Sequence, residues 1–235
     1  MPGVEKHYFV FTDDEANCRG ENVTVYHKEC EGFPKDSLFK FDMFLRAEDE
    51  LRGYDYVYFI NSNAEFKRRV EPEEWLPDGE NGLVGADWPG RRKPLHLPMF
   101  FPYERRRKSR AYVGPWGKDY HYYLGGLNGG TSEAYLRMIR ELAEATRDDY
   151  GRGIVALVHD ESHVNRYFRE HKPRSLGNEY CWPEEWEGCD EPKMILRDKV
   201  KVDAYFNKGR KSGMMENMRK LAVVSGRAIR WYLKV

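Results

Sequence analysis

The 235-residue chain has only four cysteines, Cys18, Cys30, Cys181 and Cys189, and no CxxC pair among them. That spacing argues against a zinc ribbon. Cys181 and Cys189 are near enough in sequence to bridge in an oxidising compartment, but reduced thiols are expected. The opening MPGVEKHYFVFTDD has no apolar signal region, and no apolar stretch reaches the length of a membrane span. The expected location is the cytoplasm. No sign of charge dominates: Lys plus Arg and Asp plus Glu are 39 each. Such a balance gives no reason to expect a nucleic-acid partner. GxGxxG and P-loop sequences are missing, which sets aside Rossmann and ATPase sites. Internal repeats are missing as well.

What remains is a globular composition, with 40% hydrophobic and 14% aromatic residues. The length suits one large domain, or one domain with an appended tail. Sixteen Tyr and six Trp suit a site that stacks on sugar or base faces, although most are expected in the core. His7–Thr12 and Val23–His27 read as strands. Between Asp36 and Arg52, the apolar spacing predicts one helix stopped by Gly53. Tyr54–Ile60 (YDYVYFI) reads as a strand buried on both faces, running into Asn61-Ser62-Asn63. Gly82–Ala86 and Tyr120–Leu124 read as strands, the second ending in Gly125-Gly126. Ser132–Arg147 reads as a helix. Ile154–Val158 is a short strand or helical segment, and His159–Phe168 continues as a helix. The alternation predicts an α/β fold with a mixed sheet covered on both sides. Ligands bind such sheets beyond the carboxyl ends of strands, where the polar clusters fall.

Four clusters have chemical potential. Asn61 and Asn63, two apart after a strand, point to the same side if the chain stays extended. Asp there would hold a divalent cation; neutral Asn makes hydrogen bonds instead. The plainer reading is an Asn turn. His159-Asp160-Glu161-Ser162-His163 packs polar groups at a helix start, where Asp160 as a cap is the plainer reading. Two histidines at i, i+4 raise zinc, but no third ligand is evident. The glycines from Gly125 to Gly130 allow close backbone approach to a ligand. The basic run Tyr103–Lys108 is a solvated loop or a loop that meets phosphate.

Taken in order, the NSN segment, YERR, AY, YYLGG, HDESH.N.Y and H.P at His171–Pro173 resemble glycosyltransferase family 6 over roughly residues 7 to 200. That family includes the blood-group A and B transferases and α-1,3-galactosyltransferase. The resemblance implies a GT-A fold, with residues 1–206 as the catalytic domain. It also implies a retaining hexosyltransferase that moves GalNAc or galactose from a UDP-sugar to a galactose-type hydroxyl in α-1,3 linkage. Animal members carry Asp-x-Asp where this chain has Asn61 and Asn63. Bacterial relatives with Asn-x-Asn work without metal, so no metal or other cofactor is expected here. Without a cation, basic side chains must balance the departing UDP. The resemblance suggests Lys40, Lys199 and Lys201 for this. Leu124-Gly125-Gly126 matches the triplet that leaves room for the acetamido group of GalNAc, although the smaller galactose would also enter. Asp160 is implied to meet donor hydroxyls and Glu161 to lie beneath the anomeric carbon. Glu161 would act as a nucleophile or as a stabiliser of front-face attack.

The departures fall on the acceptor side. Trp88 replaces the usual His before Pro89-Gly90, Val158 replaces a Trp, and Pro102 replaces a Thr before YERR. With His159 and Glu179, Trp88 and Val158 form the expected acceptor set. The usual fucosylated galactose does not carry over, and residues 91–100 are extra. The family's uracil-holding strand upstream of His7 has no counterpart in this sequence. Residues 207–235 lie outside the resemblance, as a basic amphipathic helix suited to an anionic membrane face or to packing on the catalytic domain. An alternative is a non-catalytic carbohydrate-binding protein on a decayed transferase fold.

Overall fold

The computed structural model describes residues 1–79, 81–89, 101–114, 120–199 and Gly226. Lys201, all of the extra acceptor-side stretch at 91–100, and the basic tail apart from Gly226 therefore lie outside the described residues.

Four strands form the central sheet: β3 (Tyr56–Ile60), β5 (Leu83–Asp87), β6 (Tyr123–Thr131) and β7 (Arg174–Leu176). Their spatial order is β3-β6-β5-β7. The β3/β6 and β5/β6 pairs are antiparallel and β5/β7 is parallel, so the sheet is mixed as expected. Strand alternation sends Leu83 to one face and Val84 and Ala86 to the other. The first face carries helices α2 (Lys40–Leu45), α5 (Ser132–Gly151) and α6 (His159–Glu170), with Phe41, Phe44, Ile139, Leu142, Val164 and Phe168 in its core. The second buries Val84, Ala86, Leu127, Leu176 and Met194. It is closed by a three-stranded sheet of β4 (Ala64–Phe66), β9 (Met194–Leu196) and β8 (Trp182–Pro183). The parallel pair β1 (Tyr8–Thr12) and β2 (Val23–His27) stands apart from the central sheet and packs Phe9, Phe11 and Tyr26 against the helical core. Among the described residues, no helix is long and apolar enough to cross a membrane. All four cysteines, the pair at 181 and 189 included, are free thiols.

Four expectations need correction. The single helix over 36–52 is three short ones: α1 (Lys35–Leu38), α2 and α3 (Glu48–Leu51). The buried apolar side chains are Leu38, Phe41, Phe44, Ala47 and Leu51, mostly three apart. On a 3.6-residue helix a stripe of period three drifts around the axis. Breaks at Phe39 and Ala47 return it to the core. Strand β3 is not buried on both faces: Tyr56 is 42% exposed, as suits the end strand of the sheet.

The strand expected at Tyr120–Leu124 instead begins at Tyr123 and runs nine residues through the glycines. These glycines are strand residues because neighbours press on them. A Cβ at Gly129 would lie 2.3 Å from the Tyr58 ring, and one at Gly130 would lie 2.2 Å from the Gly82 carbonyl. Thr131 ends β6 and also caps α5, accepting the Ala134 N–H at 3.3 Å. Finally, 154–158 has no regular structure. It is held by the Leu157 N–H, which donates to Glu104 Oε2 at 2.8 Å.

Candidate active site

The antiparallel register that pairs Ile60 with Leu127 brings the end of β3 beside the start of β6. The Asn61 N–H continues the ladder to the Gly126 carbonyl at 2.9 Å. Helix α6 lies against the same point. The Asn165 side chain pairs in both directions with the backbone of Tyr123. Its Nδ2 donates to the Tyr123 carbonyl at 2.8 Å, and its Oδ1 accepts the Tyr123 N–H at 2.8 Å. The same Nδ2 also donates to the Glu161 carbonyl at 2.9 Å. The first turn of α6, with Asp160 and Glu161, is thereby fixed over Gly125.

Both Glu161 oxygens accept hydrogen bonds. Oε2 takes the Gly125 N–H at 2.6 Å, and Oε1 takes the Tyr122 hydroxyl at 2.8 Å. A Cβ at Gly125 would come within 3.0 Å of Glu161 Cβ and 3.3 Å of Asp160 Oδ2. Glycine is what allows two carboxylates to lie on the strand. Lys40 Nζ sits 2.5 Å from Asp160 Oδ2, donates to the Gly125 carbonyl at 3.0 Å and lies 4.2 Å from the Phe59 ring centre. Its side chain is only 7% exposed. Burial pushes the Glu161 carboxyl up to about 7, and the Asp160 charge adds to this. The hydrogen bonds from Gly125 and Tyr122 and the charge of Lys40 oppose the rise without cancelling it. Burial, and then the like charge of Lys40, hold Lys199 below the ordinary lysine range. Two lysines and two acidic groups thus share one site.

Of the expected donor residues, Lys40, Gly125, Asp160 and Glu161 are brought into direct contact, and Lys199 is electrostatically coupled to them. Gly126 lies beside Asn61. Its open side is covered by Asn61, whose Nδ2 would lie 2.7 Å from an added Cβ. Leu124 is also near that point, with Cδ2 at 3.6 Å. The two asparagine amides have different neighbours. Asn63 Nδ2 donates to the Arg197 carbonyl at 2.6 Å, and its buried Oδ1 has no hydrogen-bond partner. Neutral amides are a poor donor set for a hard divalent cation.

Asp160 does not cap α6; the Val158 N–H is taken by Ser162 Oγ at 2.9 Å. His159 is the one non-glycine residue with positive φ (47°) among the described residues. Its ring meets Phe33 edge-on at 4.7 Å, and burial lowers its pKa. His163 turns into the core, 3.8 Å from Asp149, and does not join His159. On the acceptor side, Trp88 packs edge-on against Tyr122 at 5.4 Å and so reaches the Glu161 partner. The Glu179 carboxylate lies over Gly177, where a Cβ would approach within 2.2 Å. The basic run at 103–108 braces structure. Arg105 donates to the Val113 carbonyl at 2.7 Å, and Arg106 pairs with buried Glu104 at 2.7 Å. Tyr122 and Asn165 are the two site residues that the sequence reading left without a role. Their signals were the first tyrosine of YYLGG and the i+4 spacing from Glu161.

A mixed sheet flanked by helices, with an acidic pair seated where two strand ends meet, is consistent with a glycosyltransferase fold of GT-A type. The profile of Glycosyltransferase family 6 matches residues 49–207. The O-antigen biosynthesis glycosyltransferase WbnI of Escherichia coli is 32% identical over 209 residues, covering 88% of this chain and 87% of that protein. Histo-blood group ABO system transferase 2 of Rattus norvegicus is 39% identical over 205 residues, covering 84% of this chain and 60% of that protein. Globoside alpha-1,3-N-acetylgalactosaminyltransferase 1 of Mus musculus is 35% identical over 230 residues, covering 87% and 59%. The chain belongs to glycosyltransferase family 6. It is a glycosyltransferase that spans most of the bacterial relative and about three fifths of the two mammalian ones.

Proposed function

We propose that this protein is a retaining hexosyltransferase that moves GalNAc or galactose from a UDP-sugar to a galactose-type hydroxyl in α-1,3 linkage, without a divalent metal. The supporting observation is the Glu161 carboxylate, held through both oxygens beside the Lys40–Asp160 pair. A carboxylate so placed has the right chemistry for charge that develops at an anomeric carbon. In the covalent route, Glu161 forms a bond to that carbon as the bond to the phosphate oxygen breaks, and UDP leaves with the electron pair. The acceptor oxygen then displaces Glu161 and releases its proton. In the front-face route, Glu161 balances the oxocarbenium charge while the acceptor attacks from the side that UDP leaves. Both routes retain configuration and need Glu161 ionised. Lys40 and Lys199 suit the growing negative charge of UDP, in place of a cation that neutral Asn61 and Asn63 would hold poorly. The donor and linkage are suggested by the globoside transferase, whose name gives an α-1,3-N-acetylgalactosaminyl transfer.

The test is UDP release from UDP-GalNAc and UDP-galactose in EDTA, with Glu161→Gln as control. Release in EDTA that falls at least a hundredfold in the variant is expected. Activity lost in EDTA and restored by Mn²⁺ would sink the metal-free reading. Absence of UDP release with either donor would sink the transferase reading.

A further inference from the structure

We infer that Tyr122 is a positioning residue for Glu161, its hydroxyl holding Oε1 so that the carboxyl stays in place and anionic while it works. This rests on the transferase reading above and adds to it a residue and a role. Tyr122 is a full member of the buried core, 1% exposed. Its ring is wedged among Trp88 at 5.4 Å, Tyr103 at 5.2 Å and Phe101 at 6.3 Å, so the hydroxyl has a fixed position. The hydroxyl has two acceptors within reach. Glu161 Oε1 at 2.8 Å is well placed, and the Pro102 carbonyl at 3.5 Å is at the limit of a hydrogen bond. Burial, then the charge of Glu161, push the phenol's own ionisation far above its ordinary range. The hydroxyl therefore holds its proton more firmly than an ordinary phenol and stays a donor near neutral pH.

The donor matters because Glu161 is otherwise poorly kept as an anion. Burial disfavours its charge, and neighbouring Asp160 disfavours it further. Lys40 on α2 favours it, but Lys40 is itself in contact with Asp160. The remaining titratable groups around this point are Lys199, which burial pushes toward neutrality, His159, lowered by burial, and Cys181, whose thiol is pushed up by burial and by Glu161. The hydrogen bonds seen at the carboxyl among the described residues come from the Gly125 N–H and the Tyr122 hydroxyl. Gly125 N–H holds Oε2, so the tyrosine is what holds the other oxygen. A hydrogen bond to an ion is about twice as strong as one between neutral groups.

The experiment compares wild type, Tyr122→Phe and Tyr103→Phe. Tyr103 is a neighbouring buried tyrosine whose hydroxyl donates to the His121 carbonyl at 2.5 Å and does not touch Glu161. The readouts are the pH profile of UDP release and direct titration of the Glu161 carboxyl by carbon-13 NMR, assigned with Glu161→Gln. Tyr122→Phe is expected to move the acid limb and the NMR midpoint up by about one pH unit, with activity near pH 6.5 down about tenfold and largely recovered near pH 9. The donor KM should change less than kcat. Tyr103→Phe is expected to lower thermal stability and leave both midpoints where they were. If Tyr122→Phe does not fold, 3,5-difluorotyrosine at position 122 keeps the shape and donates more strongly, so both midpoints should move down. Unmoved midpoints in a folded variant, or equal movement in Tyr103→Phe, would overturn the inference. A wild type that releases no UDP fails the transferase reading, and the NMR titration still decides whether Tyr122 controls the carboxyl.

Discussion

Adding one methyl group at Gly125 or at Gly126 should produce two different defects, although the residues are adjacent. At Gly125 the new Cβ would meet Glu161 Cβ at 3.0 Å, Glu161 Oε2 at 3.2 Å and Asp160 Oδ2 at 3.3 Å. All three atoms belong to side chains that are already held, so the carboxylates must give by a few tenths of an ångström. A misplacement of about 1 Å at a reacting centre costs about a hundredfold. Half of that displacement therefore corresponds to about a tenfold loss in kcat. Overpacking here should also cost about 1–3 kcal/mol of stability. At Gly126 the first contact is the Asn61 amide nitrogen at 2.7 Å, the end of a short side chain that can turn away. The fold should barely notice. If Asn61 serves the donor diphosphate, losing that hydrogen bond raises the donor KM about tenfold or more.

The assay is UDP release for Gly125→Ala, Gly126→Ala, Asn61→Ala and the Gly126→Ala/Asn61→Ala double variant, with both UDP-GalNAc and UDP-galactose. Gly125→Ala should lower kcat for both donors. Gly126→Ala and Asn61→Ala should raise KM for both donors alike, and the double variant should be no worse than either single one. A Gly126→Ala enzyme that rejects UDP-GalNAc and keeps UDP-galactose, with additive effects in the double variant, would refute the reasoning. It would mean that the glycine faces the sugar and not Asn61.

Other outcomes follow from the same geometry. Lys40→Met leaves buried Asp160 without its cation, at a cost of about 3–5 kcal/mol, so the melting temperature should fall by about 10 °C. Adding Asp160→Asn should restore most of that temperature without restoring UDP release; no recovery would contradict the pairing. The Glu161 carboxyl, raised to about 7 in the fold, binds its proton more readily folded than unfolded. Stability is therefore greatest below about pH 4.5 on this account, and it is lost as pH rises through about 7. Allowing for partial access to water, the loss is on the order of 1–2 kcal/mol. Melting curves at pH 5 and pH 8 should show Glu161→Gln gaining stability over wild type chiefly at pH 8; the reverse order would mean that the carboxyl is not strained. Asn165→Leu orphans the Tyr123 N–H and carbonyl, which should cost about 2–4 kcal/mol and lower kcat at 25 °C. An unchanged melting temperature would show those bonds to be replaceable.

The sheet and its acidic cluster were legible because they are written in short, local patterns. VYFI and HDESH declare a strand and a polar helix start without reference to anything distant. What was not legible depended on contacts across the chain. The glycines of β6 read as the end of a strand because their reason for being small is the Tyr58 ring and the Gly82 carbonyl, which come from distant parts of the chain. The helix at 36–52 read as continuous because apolar spacing alone does not show where a stripe of period three must be reset. Tyr122 looked like another core aromatic, since only its hydroxyl, 39 residues away from its partner in sequence, sets it apart. The arginines of YERRR looked free to meet phosphate until Glu104 and the Val113 carbonyl engaged Arg106 and Arg105.

The side chain of Asn165 gives Tyr123 what a neighbouring strand would give it, one bond out and one bond back. A helix laced to a sheet edge in this way cannot slide or tilt without unzipping it. When a sugar arrives, the floor beneath it has to stay put or travel as one plank, with Gly125 and both acids aboard. Accommodation of one hexose rather than another would then fall to residues outside this floor, and exchanging them should retune choice of sugar without disturbing the chemistry below.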